Sequence, residues 1–128
     1  MGRRYRISAL HQLGNPSLSE RENENLFGAC YRLHGHDYKI EILVSGEIDS
    51  INGLAVSRDD LDACVHKYLI TQYHKSDLNE HFKNTSGEGL AEKFFEILRS
   101  ALEPLCHLEK VTVQETRKNR FEFSDSQP

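Results

Sequence analysis

The chain has 128 residues, of which 38% are hydrophobic and 28% charged, and a formal net charge of -4. That length corresponds to one domain, residues 1-128, large enough to bury a core without disulfide staples. The acidic balance argues against a general nucleic-acid or anionic-membrane binder, which carries a basic face, and no run approaches the roughly 18 apolar residues of a membrane-spanning helix.

The opening residues, MGRRYRIS, hold no apolar signal core, and Arg6 stands where a myristoylation site needs Ser or Thr. Tyr5, Ile7 and Ala9 share one face of an alternation that predicts a first strand over 3-13. Residues 14-29 begin Gly-Asn-Pro and stay polar up to Leu26, so they read as a loop with room for one helical turn. From His36, the residues Tyr38, Ile40, Ile42 and Val44 fall on one face and Lys39 and Glu41 on the other, a half-buried antiparallel strand. The Asn52-Gly53 pair marks a turn beginning at Asp49. Ser57 then caps a helix with Asp59 and Asp60 in its first turn. Leu61, Cys64, Val65, Tyr68 and Leu69 form its apolar stripe.

The stretch 72-84 is polar and irregular and carries His74, Asp77 and His81. A second helix is predicted over 87-102, with Leu90, Phe94, Ile97, Leu98 and Ala101 on one face and Pro104 as its stop. Val111 and Val113 mark a third strand, and Phe121 and Phe123 a fourth. The order strand, strand, helix, helix, strand, strand describes an α+β domain with an antiparallel sheet covered by helices on one face. Its open edges suit pairing in an oligomer.

Cys30, Cys64 and Cys106 are an odd number in no staple-like spacing, which points to a reducing cytoplasm. Cys64 lies on the predicted helix stripe, and Cys106 follows Pro104 as a core or edge residue. Cys30 has two readings. It is a small buried hydrophobe, or a thiol whose thiolate is favoured by a cationic centre nearby and can take a proton. His34 and His36 flank Gly35 at the entry to the second strand, so both imidazoles project to the same side. A catalytic zinc site takes three protein ligands and keeps a fourth position open. A His-x-His pair alone is common and mostly idle, but His11, near the end of the first strand, fits geometrically as a third ligand. His74 and Asp77 read as solvated loop residues; His66, His81 and His107 as solvent-facing or backbone-capping. Glu115 is either an exposed rim charge or a carboxylate able to accept two N–H donors from an amidine-like ring edge.

Taken together, these residues resemble the 6-pyruvoyl-tetrahydropterin synthase family, which includes the 6-carboxytetrahydropterin synthases, from about residue 5 to residue 123. "ISALH" is similar to the family's Phe-Ser-Ala-x-His, and "HGH" to its second and third ligands, which implies a metal site of His11, His34 and His36. The spacing in "CYRLHGH", which implies Cys30 as the catalytic cysteine, looks like the carboxytetrahydropterin branch. "NPSLSERENENLFGAC" and "GEIDSINGLAVSRDDL" look like the biopterin branch. "VQET" is similar to the pterin-anchoring Glu-Thr and implies Glu115 and Thr116; "TSGEGLA" is similar to the pterin-holding Thr-x-Glu-Asn and brings in Thr85, Ser86 and Glu88. Two departures stand out. Tyr73 replaces the family's relay aspartate before His74, leaving Asp77 as its substitute, and Gly87 and Gly89 interrupt the pterin segment.

The resemblance implies a tunnelling-type fold, in which three subunits close their sheets into a barrel and two trimers stack as a homohexamer with active sites between subunits. It implies a zinc-dependent carbon-oxygen lyase acting on 7,8-dihydroneopterin triphosphate, with loss of triphosphate. Cys30, His74 and Asp77 are then the catalytic residues. The alternatives are a 6-carboxytetrahydropterin synthase of queuosine biosynthesis, a side-chain aldolase, and a zinc-holding pterin binder with little or no turnover.

Overall fold

The alternation read from the sequence builds the sheet. In the computed structural model, which describes residues 1–45, 57–103 and 105–124, β1 (Gly2–His11) pairs antiparallel with β2 (His34–Ser45), β2 with β3 (His107–Gln114), and β3 with β4 (Arg120–Ser124). The sheet order is β1-β2-β3-β4. The predicted Asp49 to Gly53 turn and the Pro104 stop lie outside the described residues.

Directly opposed residues share a face, and the register sets Ile7 against Tyr38, Tyr5 against Ile40, Ile40 against Val113 and Ile42 against Val111. This face is buried by two helical segments. The first starts at α2 (Arg58–Val65), capped by the Ser57 hydroxyl, which accepts the Asp60 N–H at 3.0 Å. It continues through a π-helical turn, His66–Ile70, into one closing turn, α3 (Thr71–Tyr73). Leu61, Val65 and Leu69 are its buried stripe, whereas Tyr68, expected on that stripe, is 40% exposed. The π turn admits an extra residue, so the inward position passes from 68 to 69. The second segment is α4 (Gly87–Leu102), on the predicted boundaries, burying Leu90, Phe94, Phe95, Leu98 and Leu102. Each such side chain contributes about 1.5–3 kcal/mol by leaving water. Arg3 and Tyr5 of β1 both bond Asp62 of α2, at 2.9 and 2.6 Å, and tie strand to helix.

The segment 14-29 differs from its loop reading. It contains α1 (Glu20–Phe27), two turns long. The cause is a capping box: the Ser19 hydroxyl accepts the Glu22 N–H at 3.1 Å, and the Glu22 carboxylate accepts the Ser19 N–H at 3.2 Å. Buried Asn23 holds the preceding loop, its amide bonding the Asn15 N–H and C=O at 2.7 and 3.0 Å. A short 3-10 turn, Gly28–Tyr31, then leads to β2. No described helix is long and apolar enough to cross a membrane.

Candidate metal centre

The core stripes of β1, β2 and β3 change chemistry at one end of the sheet. On β1 the inward series Ile7, Ala9 ends in His11; on β2 the series Ile42, Ile40, Tyr38 runs back to His36 and His34. On β3 the series Val111, Val113 extends to Glu115, one residue past the strand. His11 is the cross-strand partner of His34, and Ala9 that of His36. Ligand atoms of His11, His34, His36 and Glu115 therefore converge within 4.8 Å of one another. Tyr38 packs beside them, its ring 5.8 Å from His11 and 5.6 Å from His36.

The surroundings fix which nitrogens face the centre. His11 Nδ1 lies 2.8 Å from the Thr85 carbonyl oxygen, which can only accept, so Nδ1 carries the proton and Nε2 presents a lone pair. His34 repeats the arrangement, with Nδ1 2.6 Å from the Arg32 carbonyl. His11 is fully buried, and its Nε2 has no hydrogen-bond partner among the described residues. Glu115 Oε1 is 3.0 Å from this Nε2 and 3.2 Å from His36 Nε2. Burial pushes the His11 pKa below the ordinary imidazole value, against the opposing pull of the Thr85 carbonyl and the Glu115 charge. In the neutral tautomer that the Thr85 bond selects, the 3.0 Å approach to the carboxylate is a meeting of two lone pairs. A cation between them resolves it. The donor set of imidazoles plus carboxylate suits zinc and other imidazole-binding metals, and the carbonyls behind His11 and His34 are the outer partners that orient metal-binding histidines.

Glu115 is therefore neither an exposed rim charge nor remote from the histidines; its side chain is 13% exposed. The readable signal was its parity with Val111 and Val113. Thr85 acts on His11 through its backbone, which no side-chain motif announces. Its own side chain is buried, with Oγ1 donating to the Gln12 carbonyl at 3.3 Å.

The other expected site residues are dispersed around the centre. Cys30 is exposed in the 3-10 turn, and its carbonyl accepts the Leu13 N–H at 2.8 Å, tying the turn to the segment after His11. His74 lies along the outer edge of β1, where Nδ1 accepts the Ser8 N–H at 3.1 Å. The next residues pair with the same edge: Leu10 N–H donates to the Ser76 carbonyl at 2.9 Å, and Asp77 bridges Leu10. The Asp77 carboxylate accepts the Asn79 N–H at 3.0 Å. Among the described residues no hydrogen bond joins Asp77 to His74, or either of them or Cys30 to the three histidines. Tyr73, in the relay-aspartate position, packs half-buried against the core, its ring stacked 5.9 Å from Phe94.

Thr116 Oγ1 accepts the Asn119 N–H at 3.2 Å in the β3–β4 turn. Ser86 caps α4, accepting the Gly89 N–H at 3.1 Å and donating to Asn84 at 2.6 Å, while Glu88 is exposed in the first turn. Thr85 and Ser86 also line a cavity of about 730 Å³ with Gln12, Asn15, Lys83 and Asn84. The two intruding glycines have packing reasons. A Cβ on Gly87 would sit 2.0 Å from the Phe121 ring, and one on Gly89 2.6 Å from the Asn84 carbonyl oxygen.

The family model described as 6-pyruvoyl tetrahydropterin synthase matches residues 1–126. A curated 6-pyruvoyl tetrahydrobiopterin synthase from Drosophila melanogaster is 32% identical over 133 aligned residues, covering 98% of this chain and 79% of that protein. The Homo sapiens protein of the same name is 32% identical over 126 residues, covering 93% and 86%. The solved structure of Caenorhabditis elegans 6-pyruvoyl tetrahydropterin synthase superposes with a TM-score of 0.86 at 32% identity, covering 98% of this chain and 94% of that one. Matched along nearly its whole length in sequence and fold, the chain belongs to the 6-pyruvoyl tetrahydropterin synthase family.

Proposed function

We propose that the protein is a zinc-dependent lyase that converts 7,8-dihydroneopterin triphosphate into 6-pyruvoyl-tetrahydropterin with elimination of triphosphate. The observation that carries this reading is the buried His11 Nε2, without a hydrogen bond among the described residues and converging with His34, His36 and Glu115, at family-motif positions. Zinc held by His11, His34 and His36 supplies Lewis acidity to the substrate's side-chain oxygens. Cys30, exposed on its turn, removes a proton from the adjoining carbon. His74 exchanges that proton with a substrate oxygen, and Asp77 orients it after a rearrangement of the loop. Glu115 and Thr116 hold the pterin edge, with Thr85, Ser86 and Glu88 around the ring.

Among the described residues the side chains of His74 and Asp77 bond only β1 and their own loop, which supports an active site shared between subunits of a homohexamer, a dimer of trimers. Three free cysteines favour the cytoplasm.

A second reading, the 6-carboxytetrahydropterin synthase of queuosine biosynthesis, is favoured by the spacing in "CYRLHGH". Tyr73 packed against the core favours a third, a pterin binder without turnover. The test is product analysis on zinc-loaded protein given 7,8-dihydroneopterin triphosphate. The first reading expects the pyruvoyl product and free triphosphate. Acetaldehyde release with a 6-carboxy product selects the second, and stoichiometric pterin binding without product the third.

A further inference from the structure

Glu115 has two claims on one carboxylate. Resting on the zinc and pterin readings above, the proposed reaction asks it to accept N–H donors from the pterin edge. In the structure, however, its Oε1 stands 3.0 and 3.2 Å from the Nε2 atoms of His11 and His36. The Thr85 carbonyl aims the first of these nitrogens, and the Arg32 carbonyl aims His34 Nε2, at the point where all four donors converge. Among the described residues no Lys or Arg pairs with Glu115, and its side chain is 13% exposed. A carboxylate so placed needs a positive charge, because burying an uncompensated anion costs several kcal/mol. Its backbone is held, with the Glu115 N–H donating to Asn119 at 2.9 Å, but the side chain stands just past the end of β3, before an exposed turn. The backbone is anchored, and the side chain stands at the rim of the site.

We propose that Glu115 is a displaceable fourth metal ligand, completing the donor set when no pterin is bound and leaving it when the pterin edge takes over the carboxylate. Substrate arrival then vacates one coordination position in the step that docks the ring. The resting metal stays closed to competing ligands, and the side-chain oxygens of the pterin meet an open position only when the ring is seated.

Cobalt(II) replaces zinc as a spectroscopic probe, since its visible absorption reports coordination number. The wild type, Glu115→Ala and Glu115→Gln are loaded with cobalt, their folding is checked by circular dichroism, and the titrant is 6-methylpterin, which has the pterin edge but no side-chain hydroxyls. The expected result has three parts. Glu115→Ala shifts the cobalt spectrum, 6-methylpterin shifts the wild-type spectrum in the same direction, and the metal affinity of Glu115→Ala falls about tenfold or more. If Glu115→Ala does not fold, Glu115→Gln carries the comparison, its neutral amide weakening cobalt binding in the same sense. Stoichiometric cobalt uptake with a spectrum and affinity indifferent to residue 115 overturns the displaceable ligand alone. A wild type that binds neither cobalt nor zinc stoichiometrically overturns the metal reading itself.

Discussion

His11 stands directly across the β1–β2 ladder from His34, with ring centroids 4.4 Å apart. The pairing makes the metal centre a property of strand register. A slip of one residue would send one histidine to the opposite face. The hydrophobic pairs further along, Ile7 with Tyr38 and Tyr5 with Ile40, hold that register for the site.

Because the donors come from β1, β2 and the end of β3, a bound metal ties the sheet together and the unfolded chain cannot reproduce the site. Metal at 100 times its dissociation constant adds about 2.7 kcal/mol of stability. For a domain of this size that raises Tm by roughly 10 °C. Calorimetry before and after chelator treatment checks this. Identical melting temperatures would remove the centre as a metal site.

Cys30→Ala is expected to leave zinc content and pterin binding unchanged and to reduce turnover by orders of magnitude, since the thiol is exposed and supports no packing. Metal analysis, pterin titration and single-turnover kinetics separate the three effects. A near-normal rate would take Cys30 out of the mechanism.

Gly89→Ala forces a methyl group to within 2.6 Å of the Asn84 carbonyl oxygen, which is backbone and yields only if the α4 entry moves. The expected loss is about 1–3 kcal/mol, read as a lower urea midpoint. Restoring the family's asparagine at position 89 meets the same obstruction. A variant as stable as the parent would show that the loop before α4 moves at little cost.

Arg3 and Tyr5 hydrogen bonds hold the Asp62 carboxyl below the ordinary carboxylate range. A group depressed in the folded state stabilises above its unfolded pKa, and the contribution disappears as pH falls through the folded value. Stability should therefore decline on acidification below about pH 4, the unfolded aspartate range. Asp62→Asn should lower Tm at pH 7 and flatten this decline. Parallel acid melts of the two proteins would contradict the assignment.

Much of the site is readable because it obeys the strand period. Position i+2 put His34 and His36 together, and the antiparallel neighbour supplied His11. Glu115 followed the same parity from Val113, yet its carboxylate also suits a pterin edge, and chain order alone does not choose between the two. The Ser19 and Glu22 capping box starts a helix in a segment read as a loop, because the polar residues around it masked the two turns that follow. The π turn that swings Tyr68 outward has no residue signature, because it reflects how the helix fits the sheet.

The sequence by itself determined the α+β order, the face of each strand, the helix over 87-102 and three of the four converging donors. Hydrophobic period and local capping act between near neighbours and are written in residue order. Only the tertiary structure decided that the Thr85 carbonyl orients His11, that Glu115 closes on the histidines, and that Tyr73 packs against the core while His74 lines the β1 edge. Those relationships join residues as far apart in the chain as His11 and Glu115 through backbone groups and burial, which no local pattern encodes.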